Sequence, residues 1–414
     1  MPYDSRMPAP SQTPPPNATQ GRSETPRRPR VLFLIPTLDR SGAEKQLTLL
    51  ATAGHEAAFD AHVACLDRGG PLVRDLKAAG VPVTLIGKRG KFDWNARGRL
   101  RALIDEWRPD VVHSWLFAAL GYSWLAARSL PRVHSLRCVD SWMGRWQRLQ
   151  VRLFARGTRR FLANSEAVAT WYREFELPAP IVVIPNGLPA EQSVPGDAVE
   201  QVRRELALPP AAKLVVIVGR LAKQKRLRDL LWAFQLLRQT DERAWLAVIG
   251  DGPLRDDVRL YAKEVECAER VRFVGHRDDV PAFLAAADVF WQGSDFEGQS
   301  NSVMEAMAAE VPVVVSSIPP NRELVEHGRS GYLVDVGDAA GFAQFTAKLL
   351  ADDRLAASLA TEAKRTIVSE HQLDAIVKRH AEVYRDVCDI AATSAGVAAG
   401  TRAGVAVEPV REAG

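Results

Sequence analysis

The chain has 414 residues, of which 47% are hydrophobic and 25% are charged, and its formal net charge is +4. This length favours two domains, and this composition is typical of a folded protein rather than a disordered or membrane-embedded one. The small net charge gives no indication of a nucleic-acid partner. The four cysteines form no Cys-x-x-Cys pair, so they predict reduced thiols in a cytoplasmic protein rather than disulfides or a zinc site. No apolar run approaches the roughly 18 residues that cross a bilayer.

The first part of the chain predicts a tail and then a domain. Residues 1–29 are rich in proline, serine and arginine and predict a disordered tail. Continuous apolar runs then alternate with helical segments, which is the pattern of buried parallel strands joined by helices. The strands predicted here are 31–35, 61–66, 81–86, 111–113 and 181–184, and the helices include 43–54 and 100–107. The pattern predicts a doubly wound α/β domain over residues 30–190.

The same pattern starts again in the second half. A helix over 199–208 and another over 228–237 accompany strands at 214–218, 245–249, 271–274, 289–292, 311–316 and 332–334. They predict a second α/β domain over residues 191–371. We expect a last helix over 372–391 that crosses back onto the first domain, and a flexible tail over 392–414. Ligands of such sheets bind at the carboxyl ends of the strands, so the cleft between the domains is the predicted binding site.

Two segments of the second half carry most of the chemistry. Glu297 lies in a glycine-containing turn, and Glu305 lies in the helix that follows, about 6 Å along its axis. Ser300 or Asn301 can cap this helix, whose free N–H groups and positive dipole end would then face phosphates. The other segment, 219–225, follows a buried strand, and its glycine, arginine and lysine suit a close approach to phosphate oxygens.

Together these segments resemble the donor site of retaining, nucleotide-sugar-dependent glycosyltransferases of family 4. That resemblance implies the GT-B fold, in which two Rossmann-like doubly wound parallel-sheet domains face an interdomain cleft. It also implies that Arg220 and Lys225 bind the pyrophosphate of the donor and that Glu305 binds ribose hydroxyls. Glu297 would lie beside the transferred sugar as a nucleophile, an electrostatic stabiliser or a hydrogen-bonding anchor. The alternative is an ordinary helix start with an acidic residue in its first turn.

The resemblance extends over residues 30–390 and implies a set of site residues. The catalytic candidates are Glu297, Arg220, Lys225 and His113. The candidates for donor and nucleotide binding are Gly42, Gly219, Arg220, Lys225, Asp251, Gly252, Glu297, Gly298, Asn301, Ser302 and Glu305. We expect the head group of Lys225 to be exposed in the open cleft.

The first domain resembles the acceptor side of the family less closely. Residues 41–44 resemble a Gly-Gly loop in which Ser41 replaces the first glycine. His113 is the candidate contact for the transferred sugar, although a lone histidine can equally be a satisfied core residue. Trp115 stands where many relatives have a second histidine, and Pro319-Pro320 replace a glycine pair. The segments 164–166 and 185–187 match short family loops that shape the cleft, and simple turns are the alternative.

Metal ligands are not indicated. The chain has no Asp-x-Asp sequence, so we expect no metal and no cofactor. Cationic side chains and helix N-termini would then stabilise the diphosphate leaving group. The expected partners are a UDP- or GDP-sugar donor and a hydroxyl acceptor, either a sugar or a lipid-linked glycan.

Residues 142–161 contain six arginines and no acidic residue. On one helix, Arg145, Arg148, Arg152, Arg156 and Arg159 would share a side, beside a stripe formed by Trp142, Trp146, Leu149 and Leu153. Such a face suits an anionic lipid surface or a pyrophosphate-linked lipid acceptor, which predicts a peripheral protein on the inner side of the membrane. The alternative is a core stripe with a solvated basic flank.

The leading hypothesis is transfer of a sugar to a hydroxyl group with retention of configuration, in polysaccharide, glycolipid or lipid-linked glycan synthesis. One alternative is a sugar epimerase on a related two-domain scaffold, which should carry an acid/base set that we do not find. The other is a nucleotide-sugar-binding module without turnover, which Trp115 and Pro319-Pro320 favour.

Overall fold

The computed structural model describes residues 27–90, 93–140, 143–190 and 194–403. Residues 1–26 of the predicted tail therefore lie outside the described residues. The last three residues of that prediction are attached to the first domain, because Arg27 pairs with Asp110 at 2.6 Å and Arg28 donates to the carbonyl of His55 at 2.5 Å.

The first sheet has seven strands, all parallel. They are β1 (Arg30–Ile35), β2 (Asp60–Cys65), β3 (Val83–Leu85), β4 (Val111–Trp115), β5 (Arg132–Leu136), β6 (Thr158–Ala163) and β7 (Ile181–Val183). Their order across the sheet is β3-β2-β1-β4-β5-β6-β7. The helices that pack on it are α1 (Gly42–Ala57), α2 (Leu72–Ala78), α3 (Trp94–Trp107), α4 (Leu116–Ala126), α5 (Arg145–Ala155) and α6 (Glu166–Arg173).

The second sheet has six strands, also parallel. They are β8 (Lys213–Val218), β9 (Ala244–Ile249), β10 (Val271–Gly275), β11 (Val289–Gln292), β12 (Val313–Ser316) and β13 (Tyr332–Val334), in the order β10-β9-β8-β11-β12-β13. Its helices are α7 (Ala198–Glu205), α8 (Leu227–Arg238), α9 (Arg255–Glu264), α10 (Val280–Ala285), α11 (Asn301–Ala308), α12 (Pro319–Leu324), α13 (Ala339–Ala351) and α14 (Asp353–Glu370). The predicted fold class, two doubly wound parallel-sheet domains, is confirmed.

Each sheet is buried on both faces. Alternate residues of one strand enter different cores, as Val31 and Phe33 enter one and Leu32 and Leu34 enter the other. This is why the strands read as continuous apolar runs. The winding direction reverses between β1 and β4 in the first sheet and between β8 and β11 in the second, where these strands are neighbours. Loops at these two reversals form the binding crevices of such sheets.

The last helix, α15 (Leu373–Ala403), packs on the first domain, with Ile376, Tyr384 and Val387 in the core that β1 and α1 form. α15 extends to Ala403, into the segment 392–414 that was expected to be a flexible tail, because alanine strongly favours a helix. Residues 404–414 lie outside the described residues. The two chain crossings between the domains meet at a backbone bridge between Leu188 and Gln372.

Two strands were not predicted, β5 and β6, because their polar residues break the apolar pattern. Arg132 of β5 is buried, and its guanidinium donates to the carbonyls of Phe154, at 3.4 Å, and of Arg156. These carbonyls lie at the C-terminal end of α5, where a cation is favoured. The single basic helix that we expected over 142–161 was therefore wrong. It ends at Ala155, and Gly157, with φ of +80°, makes the turn into β6.

Candidate active site

The loop after β8 carries the predicted phosphate-binding residues. Gly219 begins it, and Lys225 closes a short 3₁₀ turn over Lys223–Lys225. The loop lies directly against the one after β9, since a Cβ on Gly252 would be 2.4 Å from the carbonyl oxygen of Leu221. Leu221 in turn donates its N–H to the carbonyl of Asp251 at 3.0 Å. Close backbone packing therefore explains Gly252, whereas the side chain of Asp251 is exposed.

The turn after β11 carries the first glutamate of the pair. Its carboxylate oxygen lies 2.5 Å from Lys225 Nζ, and the side chains of Glu297 and Lys225 are only 13% and 18% exposed. These residues are 72 positions apart in the chain, and the adjacency of β8 and β11 brings them together. The expectation that Lys225 would be an exposed head group was wrong, because its ammonium is held in this ion pair. Arg220 is exposed and makes no side-chain hydrogen bond to any residue that the structure describes.

Gly298 lies where the two domains touch. A Cβ at this position would be 1.9 Å from the carbonyl oxygen of Arg137, which belongs to the loop after β5. Ser165 donates its hydroxyl to the carbonyl of Gly298 at 3.2 Å, and Val139 N donates to the carbonyl of Glu297 at 3.3 Å. The glutamate turn is therefore clamped between both domains, and only glycine fits at its second position.

The helix after this turn begins as the sequence predicts. Ser300 is the N-cap residue, and its hydroxyl accepts a bond from Val303 N at 3.5 Å. The hydroxyl of Ser302 lies 3.2 Å from that of Ser300. Gln292 also donates to Ser300, and Asn321 donates to Gln292 at 2.9 Å. This buried chain of side chains fixes the N-terminus of α11 at the cleft.

The first turn of α1 meets the first turn of α11 across the cleft. Asn301 Nδ2 donates to the carbonyl of Gly42 at 3.0 Å, and its Oδ1 accepts from Gln46 at 3.2 Å and from Asn186 at 2.7 Å. The backbone N–H of Asn186 also donates to Gln299 Oε1 at 2.6 Å. The segments 164–166 and 185–187 thus both border the interdomain contact, as does Gly42.

The second glutamate of the pair also has a lysine partner. Glu305 Oε1 lies 2.5 Å from Lys45 Nζ, and the two side chains are 6% and 46% exposed. Lys45 belongs to α1 of the first domain, so this ion pair crosses the cleft. The sequence analysis did not single out Lys45, because nothing in the local pattern of α1 shows what it faces.

His113 lies in the core and not at the cleft surface. The ring is fully buried, with Nδ1 2.8 Å from the hydroxyl of Tyr384 and Nε2 2.9 Å from that of Ser135. Burial lowers its pKa well below the ordinary value, which keeps it neutral. This is the satisfied core histidine that was the alternative to a contact with the sugar. Trp115 is buried too, at 1% exposure.

A half-buried arginine beside the cleft was missed. The guanidinium of Arg137 lies over the ring of Trp115, 4.4 Å from its centroid, and donates to Asn186 Oδ1. No carboxylate pairs with it among the residues that the structure describes, and Nε has no hydrogen-bond partner there. Burial lowers its pKa to about 9. Recognition of β5 would have pointed to this arginine, since it is the residue that follows the strand.

The paired prolines have an ordinary structural role. Pro319 and Pro320 begin α12, where proline fits without loss of a helical hydrogen bond.

No group of three or more metal-ligating side chains occurs in the described residues. Among the same residues, no helix combines the length and apolarity that a bilayer crossing demands.

The basic face is confined to α5. Arg145 and three apolar side chains are exposed on it, at 77% for Trp146, 54% for Leu149 and 36% for Leu153. Arg148 lies over the ring of Trp171, and Arg152 pairs with Glu176 at 2.7 Å. Arg156 and Arg159 lie beyond the helix, and Trp142 lies outside the described residues.

Comparison with known proteins identifies the family in two parts. The model "Glycosyltransferase Family 4" matches residues 40–192, and the model "Glycosyl transferases group 1" matches residues 198–366. Two relatives are lipopolysaccharide core biosynthesis glycosyltransferases of Rhizobium meliloti. LpsE is 33% identical over 44% of this chain and 52% of its own, and LpsD is 24% identical over 83% and 94%. The chain spans about half the length of the first curated relatives that it matches.

Solved structures show the same fold. Anabaena HepE in complex with UDP-glucose superposes with a TM-score of 0.78 at 22% identity, covering 87% of this chain and all of that one. Sucrose-phosphate synthase from Thermosynechococcus elongatus superposes with a TM-score of 0.72 at 18% identity, covering 87% and 99%. With both family models matched and the two sheets in place, this chain belongs to glycosyltransferase family 4 and has the GT-B fold.

Proposed function

We propose that this protein is a retaining glycosyltransferase that moves a sugar from a UDP- or GDP-sugar to a hydroxyl acceptor in glycan or glycolipid synthesis. The observation that carries the proposal is the Lys225–Glu297 ion pair at the winding reversal of the second sheet. Relatives support this class of reaction. One is named a UDP-Gal:alpha-D-GlcNAc-diphosphoundecaprenol alpha-1,3-galactosyltransferase and another a GDP-mannose-dependent mannosyltransferase.

The charges near this pair suit a diphosphate leaving group. Lys225 Nζ has three N–H donors, so it can keep its bond to Glu297 and also donate to a phosphate oxygen. Arg220 is exposed one residue after Gly219 and is free to add a second cation. The N-terminus of α11 adds backbone N–H groups and a positive dipole end. These groups supply the stabilisation that the chemistry needs without a bound metal.

The two carboxylates have separate tasks in this proposal. Glu297, in the clamped turn, contacts the transferred sugar, and Glu305, in α11, accepts bonds from the ribose hydroxyls. The acceptor approaches from the first domain, whose loops at 137–139 and 164–166 border the Glu297 turn.

Transfer from radiolabelled UDP- and GDP-sugars tests the proposal, with the released nucleotide and the labelled product measured separately. Lys225→Ala should lower turnover about 10- to 100-fold, which is the value of one charge-assisted phosphate contact. Lys223→Ala is the matched control, since this exposed lysine lies in the same turn and should retain full activity. Binding without turnover would favour the module without catalysis, and a changed sugar on the intact donor would favour the epimerase.

We also propose that the outer face of α5 binds an anionic membrane surface. Exposed Trp146 and Leu149 supply an apolar contact, and Arg145 supplies charge that no described residue neutralises. Flotation on acidic liposomes should recover the wild-type protein, and the Trp146→Ala/Leu149→Ala double variant should stay in the soluble fraction. Arg101→Gln is a control on another helix of the same domain, where the arginine pairs with Asp105. Equal recovery of both variants would rule out this surface.

A further inference from the structure

Both glutamates of the donor site are held by lysines, but the two lysines come from different domains. Lys225 belongs to the same domain as Glu297, whereas Lys45 reaches Glu305 from α1 of the first domain. Glu305 is almost completely buried, and a buried carboxylate needs a partner. The negative charge of Glu305, which is the predicted protein ligand of the ribose, is therefore balanced by a lysine on the opposite side of the cleft.

Lys45 is not needed to dock the two helices. Neutral groups already join their first turns, through the bonds from Asn301 to Gly42 and from Gln46 to Asn301. Lys45 also lies in the first turn of α1, where the helix dipole disfavours a cation. A purely structural link would not require a charge at this place, which points to a ligand-related task.

The geometry of the carboxylate shows what that task can be. Lys45 binds Oε1 of Glu305, and Oε2 makes no hydrogen bond to any residue that the structure describes. A carboxylate has about four acceptor positions, so the free oxygen can accept from hydroxyl groups while the lysine fixes the plane of the carboxylate. The side chain of Lys45 is 46% exposed and stays open to the cleft.

We infer that Lys45 is a positioning residue of the nucleotide site, which orients Glu305 toward the ribose and thereby selects ribonucleotides over 2′-deoxyribonucleotides. This inference rests on the proposed function, in which Glu305 is the ribose ligand. It assigns part of donor recognition to the first domain, so that the ribose is bound tightly only when the two domains are together.

Calorimetric titration of the full chain with UDP and 2′-deoxy-UDP, and with GDP and 2′-deoxy-GDP, tests the inference. The wild type should bind the preferred ribonucleotide more tightly than its 2′-deoxy form. Lys45→Ala should weaken binding of the ribonucleotide about tenfold and should weaken binding of the 2′-deoxy form less, because that form keeps only the 3′-hydroxyl. Lys45→Arg should restore part of the preference. Lys77→Ala, at an exposed lysine of α2, should change nothing.

The Lys45→Ala/Glu305→Gln double variant makes the test independent of any single folding defect. If Lys45 acts through Glu305, then Lys45→Ala adds little to the loss caused by Glu305→Gln. If Lys45→Ala weakened binding of the ribonucleotide and of its 2′-deoxy form equally, Lys45 would be a general contact between the domains. That result would overturn the inference. An unchanged preference in Lys45→Ala would do the same. A wild type that binds nucleotides without any preference for ribose overturns the inference alone, whereas a wild type that binds no nucleotide overturns the proposed function with it.

Discussion

The two domains share one winding order but bury different side chains. In the first domain, polar side chains enter the core on or beside the central strands, namely Arg132, His62, His113, His134 and His380. In the second sheet, the buried polar residues of the described strands are Gln292 and Ser316, and both lie at strand ends. The second domain instead has Lys225 and Glu297 in the loops at its winding reversal. The first domain builds polar groups into its scaffold.

The largest effect that separates the domains should come from acid. Burial lowers the pKa of His62 and of His380 to about 4 and that of His134 to about 3. The unfolded chain titrates near 6.5, so it binds these protons first. Stability is therefore complete above about pH 6.5 and falls as the pH drops toward about 4. Between pH 7 and pH 5, each of these imidazoles should lower the free energy of unfolding by about 2 kcal/mol.

Hydrogen exchange measured by mass spectrometry at pH 7 and pH 5 checks this expectation. Peptides from β2, β4 and β5 should lose protection before those from β8 and β9. His380→Leu should reduce the pH dependence because it removes one titrating imidazole. Nε2 of this buried ring has no partner in the described part of the chain, so leucine breaks no bond there. His276→Gln, at an exposed position of the second domain, is the control. Earlier opening of the second domain would contradict the comparison.

A smaller effect should come from the contact between the domains. Gly298→Ala forces a methyl group into the carbonyl of Arg137 and should lower the free energy of unfolding by about 1–3 kcal/mol. It should also lower the proposed transferase activity, because the Glu297 turn moves. Gly98→Ala is the matched control, since no atom lies near its added methyl group in α3 and helix propensity improves. Equal melting temperatures for both variants would argue against a clamped turn.

The smallest effect should come from an acid on the rim of this contact. Both carboxylate oxygens of Glu323 accept backbone N–H bonds at the start of α6, from Glu166 at 2.9 Å and from Ala167 at 2.7 Å. Glu323→Gln should cost about 0.3–1 kcal/mol at low salt, and less as salt screens the helix dipole. Thermal unfolding at two salt concentrations measures this, with Glu382→Gln, at an exposed position of α15, as the control. A loss that does not depend on salt would mean that charge is not involved.

The same contrast explains what could be predicted. All six strands of the second sheet were predicted, because runs such as Leu214–Val218 are purely apolar. In the first sheet β5 was missed because Arg132 and His134 interrupt its apolar pattern, although both find partners inside the protein. β6 was missed because it begins with Thr158, Arg159 and Arg160. The rule that buried strands read as apolar runs fails where a core contains satisfied polar groups.

The candidate site residues also divide into those that the local sequence predicts and those that it does not. Glu297, Lys225 and Glu305 could be selected because a local segment with its turn and helix carries the pattern. Lys45 and Arg137 could not, since each matters through a residue far away in the chain. His113 was misjudged for a related reason. It was expected at the end of its strand, but β4 continues to Trp115, and the packing of α15 places its ring against Tyr384.

Calorimetric titration with UDP and GDP tests most directly whether the Lys225–Glu297 pair is a donor site. Folded wild-type protein should bind one of the two nucleotides at one site per chain. Lys225→Ala should lose most of that affinity, and Lys223→Ala should keep it. The absence of heat with either nucleotide and with their sugar conjugates, or equal binding by both lysine variants, would contradict the account.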